Sequence, residues 1–341
     1  MGADRGRRIV IVEVNWIGDV LFSTPFIRAV REANPDAYIA CLLHPRCREV
    51  LESNPRVNEI IFYDEERAHR GIIGKMRLVH GLRRRRFDTA FILHRSFTKA
   101  FLTYLAGIPE RIGYATKRRG GVLTKAVEEP PADLHKVDYF LRLAEAAGIA
   151  PGSRSYEFFV TEDDRRAVRE LLAAKGIAAA ERVIVINPGG NWDPKRWPKE
   201  NFAWLADKAA DRFNARIVIS GAQKDIGLAE DIRNLMRIEP VIVAGATTLR
   251  QLGALMERAS LVVANDSGPM HLAVAAGAKV IALFGPTSPA ITGPCGEGAY
   301  TVLFKNSACD VPCYNPACAD RACMAAITVD DVMAAAGKVL G

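Results

Sequence analysis

The chain has 341 residues, which exceeds the usual size of a domain with a single hydrophobic core and fits two domains of ordinary size. Hydrophobic residues make up 49% of it and charged residues 25%, which excludes a disordered, collagen-like or low-complexity protein. The net charge of +7 comes entirely from the first half: residues 1–160 carry 26 Lys and Arg against 19 Asp and Glu, whereas residues 161–341 carry 20 of each. A basic half suits nucleic acid, an anionic membrane surface, a phosphorylated substrate or simply a solvated arginine-rich face.

Short β-branched runs alternate with helical patterns along the chain, which is typical of parallel α/β sheets. In the first half we predict strands over 7–14, 37–44, 59–64 and 87–94, and helices over 24–35, 75–86 and 98–107. In the second half we predict strands over 182–190, 215–222, 241–245, 261–266 and 279–286, and helices over 199–213, 225–236, 249–259 and 269–277. Small and polar residues follow these strands, at the edge where open α/β sheets bind ligands.

A polar stretch over residues 149–162 interrupts this alternation. It predicts the boundary between two doubly wound domains, covering 1–155 and 156–327, with a cleft between them. We expect the last segment, 328–341, to form a helix that packs back on the first domain.

The chain shows no stretch that approaches the roughly 20 uncharged apolar residues needed to span a bilayer. Its first apolar run extends from Ile9 to Val12, stops at Glu13 and precedes no small-residue cleavage site, so it predicts a buried strand rather than a signal peptide. Seven cysteines in such a chain are typical of reduced thiols. We therefore expect a cytoplasmic protein, with contact to a membrane surface left open.

The strongest local signal of the first half is the pentapeptide Asn-Trp-Ile-Gly-Asp that ends at Asp19, between the first strand and a helix. Gly18 permits a tight turn or a close backbone approach. The carboxylate of Asp19 has two interpretations: it caps the helix, or it accepts a proton from a substrate hydroxyl. Neither a dinucleotide-binding GxGxxG nor a P-loop is present.

Two loops of the second half have features of an anion site. Gly189 and Gly190 precede the basic pair Lys195 and Arg196, so free backbone N–H groups and cations could neutralise a phosphate. The alternative is an ordinary loop whose basic side chains point to solvent.

The second loop runs from Asn265 to His271 and opens a helix. Ser267, Gly268 and the amides of that helix N-terminus favour an anion, whereas the alternatives are a plain helix cap and a core histidine. The next loop, Gly285-Pro-Thr-Ser-Pro289, follows the neighbouring predicted strand. Several such loops at one sheet edge, together with one carboxylate in the other half, predict transfer from a phosphate-activated donor.

The motifs resemble glycosyltransferase family 9, the ADP-heptose glycosyltransferases of lipopolysaccharide core assembly. The resemblance rests on NPGG, KRWP, VVANDSGPMHLAVAAG and ALFGPTSP in the second half and on NWIGDVLFSTPFIRAVRE in the first. The stretch RSFTKAFLTYLAGIPERIGYATKRRG is most similar to the heptosyltransferase II branch. This resemblance implies an α/β fold of the GT-B class, with two Rossmann-like doubly wound domains facing a central cleft. It implies a donor-binding C-terminal domain, an acceptor-binding N-terminal domain, inverting chemistry, and neither a metal nor a cofactor.

The resemblance also implies residue roles. Asp19 matches the general base and Lys195 the lysine that contacts the donor phosphates. The loop and helix start that hold the sugar diphosphate, together with the glycine turn, give the donor-binding set Gly189, Gly190, Asp266, Ser267, Gly268 and His271. Asp225 matches a residue near the donor ribose, and Thr247 one near the adenine. We further hypothesise that the basic run Lys117, Arg118 and Arg119 contacts the acceptor.

The implied activity is transfer of a heptose from ADP-L-glycero-D-manno-heptose to the inner-core heptose of lipopolysaccharide. The acceptor, a Kdo- and heptose-bearing lipid A core, is anionic and lies at the cytoplasmic face of the inner membrane, which suits the basic half. Nucleic acid is not expected, because no aromatic residues interleave with the basic runs. The alternatives are a heptosyltransferase I or III acceptor, a GT-B nucleotide-sugar epimerase and a non-enzymatic binding module.

Four cysteines lie within fifteen residues near the C-terminus, at Cys309, Cys313, Cys318 and Cys323. Four thiols could bind zinc or an iron–sulfur cluster. Their spacing matches neither a paired CxxC zinc knuckle nor a ferredoxin run, which favours a reduced structural loop or one disulfide over a metal site.

Overall fold

The structure is a computed structural model that describes residues 6–305 and 309–341. The chain divides into two compact units, of which the first ends at Glu157 and the second begins at Phe158. Each unit contains one six-stranded sheet whose strands pair in parallel, flanked by helices. In the described part of the chain, no helix combines the length and the apolar character that crossing a bilayer requires.

The first unit is built around the buried strand β1. Its elements are β1 (Arg8–Val12), α1 (Ile17–Ala33), β2 (Tyr38–Leu43), α2 (Arg48–Leu51), β3 (Glu59–Phe62), α3 (Ile72–Arg85), β4 (Thr89–Ile92), α4 (Phe97–Leu105), β5 (Glu110–Tyr114), β6 (Lys125–Val127) and α5 (Lys136–Ala146). The strand order is β3-β2-β1-β4-β5-β6. The chain therefore builds outward in both directions from β1 and β4, and the edge between these two strands is the ligand-binding position of such a sheet.

The second unit repeats this plan around β7. Its elements are α6 (Glu162–Ala174), β7 (Arg182–Asn187), α7 (Lys199–Phe213), β8 (Ala215–Ile219), α8 (Ile226–Leu235), β9 (Val241–Ile242), α9 (Leu249–Arg258), β10 (Leu261–Asn265), α10 (Gly268–Ala275), β11 (Val280–Phe284), α11 (Pro289–Thr292), β12 (Tyr300–Phe304), α12 (Ala322–Ala325) and α13 (Val329–Leu340). The strand order is β12-β11-β10-β7-β8-β9. Here the topological switch, which is the point where the strand order reverses, lies between β7 and β10. In the first unit the corresponding switch lies between β1 and β4.

Helix α1 begins at Ile17, seven residues earlier than we predicted. Proline is favoured in the first turn of a helix and disfavoured in its interior. In the structure Pro25 is internal, and the carbonyl of Leu21 accepts the Thr24 hydroxyl at 2.7 Å. This side-chain hydrogen bond occupies the acceptor that the missing proline N–H would have used.

Helix α13 packs in the core of the second unit, which corrects the expectation that it packs on the first domain. Its apolar residues Val332, Met333 and Ala336 are buried together with Phe202 and Ala206 of α7. The apolar face of a short amphipathic helix is stabilised by the nearest complementary core, and α7 supplies it.

Candidate active site

The loops after β7 and β10 are held together by the amide of Asn265. Its Nδ2 donates to the carbonyl of Pro188 at 2.9 Å, and its Oδ1 accepts the Trp197 N–H at 3.0 Å. Asn265 is fully buried, at the switch between the two strands. One side chain therefore fixes the glycine loop and the basic loop relative to the start of α10. Sequence reasoning placed Asn265 in the motif but did not identify this role.

Lys195 and Asp266 form an ion pair at this edge. The lysine Nζ lies 2.6 Å from Asp266 Oδ2, and the Thr287 hydroxyl donates to the same oxygen at 2.6 Å. His271 Nε2 lies 3.8 Å from Asp266 Oδ1. Burial alone would raise the pKa of Asp266, but the neighbouring imidazole and the lysine charge outweigh it and hold the pKa at about 2. The carboxylate is therefore ionised and orients the lysine.

Ser267 has a buried hydroxyl oxygen with no hydrogen-bond partner in the described part of the chain. It occupies the N-cap of α10, yet its side chain does not cap the helix. Buried hydroxyls in proteins are normally hydrogen-bonded. A buried hydroxyl without a partner at a helix N-terminus therefore indicates that it donates a hydrogen bond to a bound ligand. Gly268 follows as the first residue of α10, where backbone N–H groups and the helix dipole favour an anion.

The glycine turn is constrained by its neighbours. A Cβ on Gly189 would lie 2.7 Å from Asp225 Oδ2, a distance that only glycine avoids. Arg196 Nη2 donates to the carbonyl of Gly190 at 2.7 Å. Of the basic pair singled out in the sequence, Arg196 thus stabilises the loop, whereas Lys195 stands at the ion pair with Asp266.

Asp225 and Thr247 lie in the loops that follow β8 and β9. The Asp225 carboxylate is buried and accepts the Ala222 N–H at 3.0 Å, so it closes its own turn. Thr247 is half-buried and directly precedes Thr248, whose hydroxyl caps α9. Both residues are at the carboxyl end of the sheet, and their contact with a donor stays a prediction.

Asp19 lies in the first turn of α1, immediately after β1 and beside the switch between β1 and β4. The N-cap of the helix is Trp16, so Asp19 does not occupy the cap position itself. Its side chain is partly exposed. A partly exposed carboxylate at this edge can accept a proton from a bound hydroxyl.

A buried lysine supports the loop that carries Asp19. Lys99 of α4 is 1% exposed, and its Nζ donates to Asn15 Oδ1 at 2.6 Å and to the Glu13 carbonyl at 3.1 Å. Burial lowers the pKa of Lys99 to about 8, although the charges of Glu65 and Glu13 act in the opposite direction. Sequence reasoning missed this residue, because a lysine on a predicted helix carries no signal of burial.

The Glu13 carboxyl beneath the same loop is also buried. The Ser23 hydroxyl donates to its Oε2 at 2.9 Å, and its Oε1 has no hydrogen-bond partner among the residues that the structure describes. Burial raises the pKa of Glu13 to about 8, against the hydrogen bond from Ser23 and the charge of Lys99. The carboxyl is therefore largely protonated at neutral pH.

Because Glu13 is protonated in the folded chain, we predict that the free energy of unfolding depends on pH. The folded chain holds it up to about pH 8, whereas the unfolded chain releases it near the ordinary value of 4.5, so rising pH favours unfolding between these values. We expect Glu13→Gln to remove this dependence and to gain on the order of 2–4 kcal/mol over the wild type between pH 5 and pH 8. Urea unfolding at several pH values measures it. The prediction would be contradicted if the unfolding free energies of the wild type and the variant differed by the same amount at pH 5 and at pH 8. The range stops at pH 8 because Lys99 titrates above it with the opposite sign.

The basic run of the first unit separates into two parts. Lys117 and Arg118 are exposed and adopt left-handed backbone conformations, with φ of 48° and 58°. Arg119 is fully buried; its guanidinium donates to the carbonyl of Tyr114 at 2.6 Å and to that of His94. Arg119 therefore has a structural role, because its buried guanidinium binds backbone carbonyl groups. This corrects the expectation that Arg119 contacts the acceptor.

The four C-terminal cysteines line one small cavity of about 30 Å³. They are free thiols, of which Cys323 is buried and Cys309 is exposed. Within residues 6–305 and 309–341, no three His, Cys, Asp or Glu side chains are arranged as metal ligands.

Comparison with known proteins gives consistent matches. The sequence model of glycosyltransferase family 9 (heptosyltransferase) matches residues 75–320. Lipopolysaccharide heptosyltransferase 2 of Salmonella typhimurium is 29% identical over 309 residues, which cover 86% of this chain and 87% of that protein. A family 9 glycosyltransferase from Veillonella parvula superposes with a TM-score of 0.91 at 25% identity, over 100% of this chain and 99% of that one. Escherichia coli ADP-heptose heptosyltransferase II superposes with a TM-score of 0.81 at 26% identity, over 98% of both chains. These neighbours confirm the expected α/β fold of the GT-B class.

Proposed function

The chain belongs to glycosyltransferase family 9, and from this premise we propose that it transfers a heptose from ADP-L-glycero-D-manno-heptose to the inner-core heptose of lipopolysaccharide. Relatives named lipopolysaccharide heptosyltransferase 2 in Salmonella typhimurium and Escherichia coli, each matched over 86% of this chain, support this assignment. The chain is accordingly a glycosyltransferase, and the type II acceptor is the specific form that we assign to it.

The observation that carries the proposal is the Lys195–Asp266 pair beside the unsatisfied hydroxyl of Ser267. A lysine that is oriented by a buried, ionised carboxylate keeps its remaining N–H donors for a second anion. The N-terminus of α10 adds backbone donors beside it. A diphosphate matches this set, because it offers several negatively charged oxygens within the reach of one cation and one helix end.

We propose the following roles in the reaction. Asp19 takes the proton of the acceptor hydroxyl, whose oxygen then attacks the anomeric carbon of the heptose. The bond from that carbon to the ADP oxygen breaks, and inversion follows from attack on the face opposite the leaving group. Lys195 and the α10 N-terminus stabilise the charge that develops on ADP, the role that a divalent metal ion has in other transferases.

We propose that the acceptor is the Kdo- and heptose-bearing lipid A core, used at the inner face of the inner membrane. The excess of basic residues in the first half supports this, since the Kdo carboxylates and the lipid phosphates are anionic. Peripheral contact with that membrane surface is part of the same proposal.

The decisive experiment offers the protein ADP-heptose and one of two acceptors, which carry either no core heptose or one. We expect transfer only to the one-heptose acceptor, detected as the mass of one added heptose. Transfer to the bare Kdo acceptor would refute the type II assignment. Release of an epimerised sugar from donor alone would indicate an epimerase, and donor binding without any turnover would indicate a binding module.

The exposed cations Lys117 and Arg118 give a separate prediction. We expect Lys117→Asp with Arg118→Asp to raise the acceptor KM roughly ten-fold, since one favourable exposed charge contact contributes up to about 1 kcal/mol. Aspartate tolerates the left-handed backbone at both positions, so the loop should keep its conformation. The measurement is acceptor KM alongside ADP affinity, with Lys175→Asp and Lys338→Asp together as the charge-matched control in the second unit. Parallel loss of ADP affinity would count against the acceptor role.

A further inference from the structure

Helix α3 has an exposed face whose N-terminal part is apolar and whose C-terminal part is cationic. Ile72 is 81% exposed, Ile73 72% and Met76 47%, which are large fractions for apolar side chains. They line an open depression of about 860 Å³ together with Arg77, His80, Gly81, Arg84 and Arg85. The opposite side of the helix packs in the core through Leu78, Val79 and Leu82. We call the exposed side, defined by Ile72, Ile73, Met76, Arg77, His80 and Arg84, the α3 face.

The residues of the α3 face lie in register on the helix. Positions 72, 76, 80 and 84 recur every four residues, so their side chains follow one stripe along the axis. The apolar residues occupy the first turns, and Arg83, Arg84 and Arg85 occupy the last turn, where cations suit the helix dipole. The helix contains no acidic residue.

The cations of the α3 face are available to a ligand. Arg85 pairs with Glu59 at 2.5 Å, and Arg83 Nε donates to the Leu105 carbonyl at 3.0 Å. Arg77 and Arg84 are exposed and have no carboxylate partner among the residues that the structure describes. Two guanidinium groups without a carboxylate partner, next to exposed aliphatic side chains, suit a partner that is both anionic and apolar.

The neighbouring helix α4 adds aromatic surface. Phe97, Phe101 and Tyr104 are 43%, 37% and 48% exposed, and their rings stack in sequence with centroids 5.7 Å and 6.0 Å apart. The Arg111 guanidinium lies 5.4 Å from the Tyr104 ring centroid. Tyrosine, like tryptophan, is enriched at membrane–water interfaces, where its amphipathic ring lies at the level of the headgroups.

We propose that the α3 face binds the surface of an anionic lipid bilayer, with Ile72, Ile73 and Met76 inserted at the headgroup boundary and Arg77 and Arg84 on lipid phosphates. An amphipathic helix that lies in the interface has this combination of an apolar patch and flanking cations. Nucleic acid would use the cations but gives no reason to expose two isoleucines. The proposal rests on the proposed function for the identity of the membrane, and its chemistry rests on the α3 face alone.

The test measures cosedimentation of the full chain with phosphatidylcholine vesicles, with and without phosphatidylglycerol. We expect binding only to the anionic vesicles. Ile72→Ser with Ile73→Ser should weaken it roughly ten-fold or more, because two exposed aliphatic side chains lose their apolar burial. Arg77→Gln with Arg84→Gln should weaken it by roughly five-fold per charge at low salt. Trp204→Ser, at a position on α7 that is 56% exposed, is the matched apolar control, and Lys175→Gln is the charge control; both should bind as the wild type does.

Each outcome decides the proposal. Wild-type-like binding by both α3 variants, equal losses in the controls, or no vesicle binding by the wild type would overturn it. Turnover with a delipidated, water-soluble acceptor separates it from the proposed function, since the α3 variants should keep that turnover. The wild-type protein could bind vesicles and yet transfer heptose to no acceptor. That result would support the α3 face as a membrane-binding surface and would reject the transferase assignment.

Discussion

Asp19→Asn is expected to lower kcat by roughly 10²–10⁴-fold while leaving ADP affinity unchanged, because asparagine keeps the shape of the side chain but cannot accept the acceptor proton. The loss should appear in kcat with either substrate saturating, since a general base acts in the transition state. Steady-state kinetics and calorimetric titration with ADP measure the two quantities separately. Unfolding should change by less than about 1 kcal/mol, the usual value of a first-turn carboxylate.

The chain contains a matched control for this variant. Asp138 is the third residue of α5 after its N-cap His135, just as Asp19 is the third residue of α1 after Trp16. Asp138 pairs with Arg154 at 2.8 Å, so Asp138→Asn removes a comparable helix-end charge together with that ion pair. We expect it to keep full kcat. Similar kcat losses in the two variants would mean that Asp19 acts through helix stability and would exclude its role as the base.

Lys195→Met is expected to lower kcat/KM for the donor by roughly 10²–10³-fold, because it removes a cation aimed at the leaving diphosphate. It also leaves the Asp266 carboxylate, 4% exposed, without its lysine partner, while Thr287 and His271 remain beside it. Because the lysine itself is partly exposed to water, we expect a loss of about 1–3 kcal/mol in unfolding free energy. Donor kinetics and thermal unfolding give the two effects.

Two further variants separate catalysis from stability. Lys199→Met removes the next lysine along the chain, the first residue of α7, which pairs at 2.8 Å with Asp231 of α8. This variant should leave the donor kinetics unchanged. The double variant Lys195→Met with Asp266→Asn removes the unpaired buried charge and should recover stability without activity. Recovered activity in the double variant would show that Lys195 only neutralises Asp266, and the assignment to the donor phosphates would fall.

Local sequence signals were sufficient for the elements whose ends are marked by residues with strong backbone preferences. Helix α7 was predicted over 199–213 and is observed over Lys199–Phe213, between Pro198 and the left-handed Asn214. The strands β5 and β6 were missed, because they mix charged and apolar residues over at most five positions and carry no clear period. Strand β12 was missed although four of its five residues are apolar. Helix α6 was also missed, because its start falls within the polar stretch that we assigned to a boundary.

Periodicity and turn residues act locally, so they were sufficient to predict the class of fold, the two repeated α/β plans and most of the polar loops at the sheet edges. Which charges form contacts inside the protein depends on tertiary packing. It buried Arg119 and Lys99 on backbone acceptors, placed Asn265 between two loops, and oriented Lys195 by Asp266. These assignments depend on residues that are distant in sequence, and the cost of burying an unpaired polar group selects the partners only once the strands are in register.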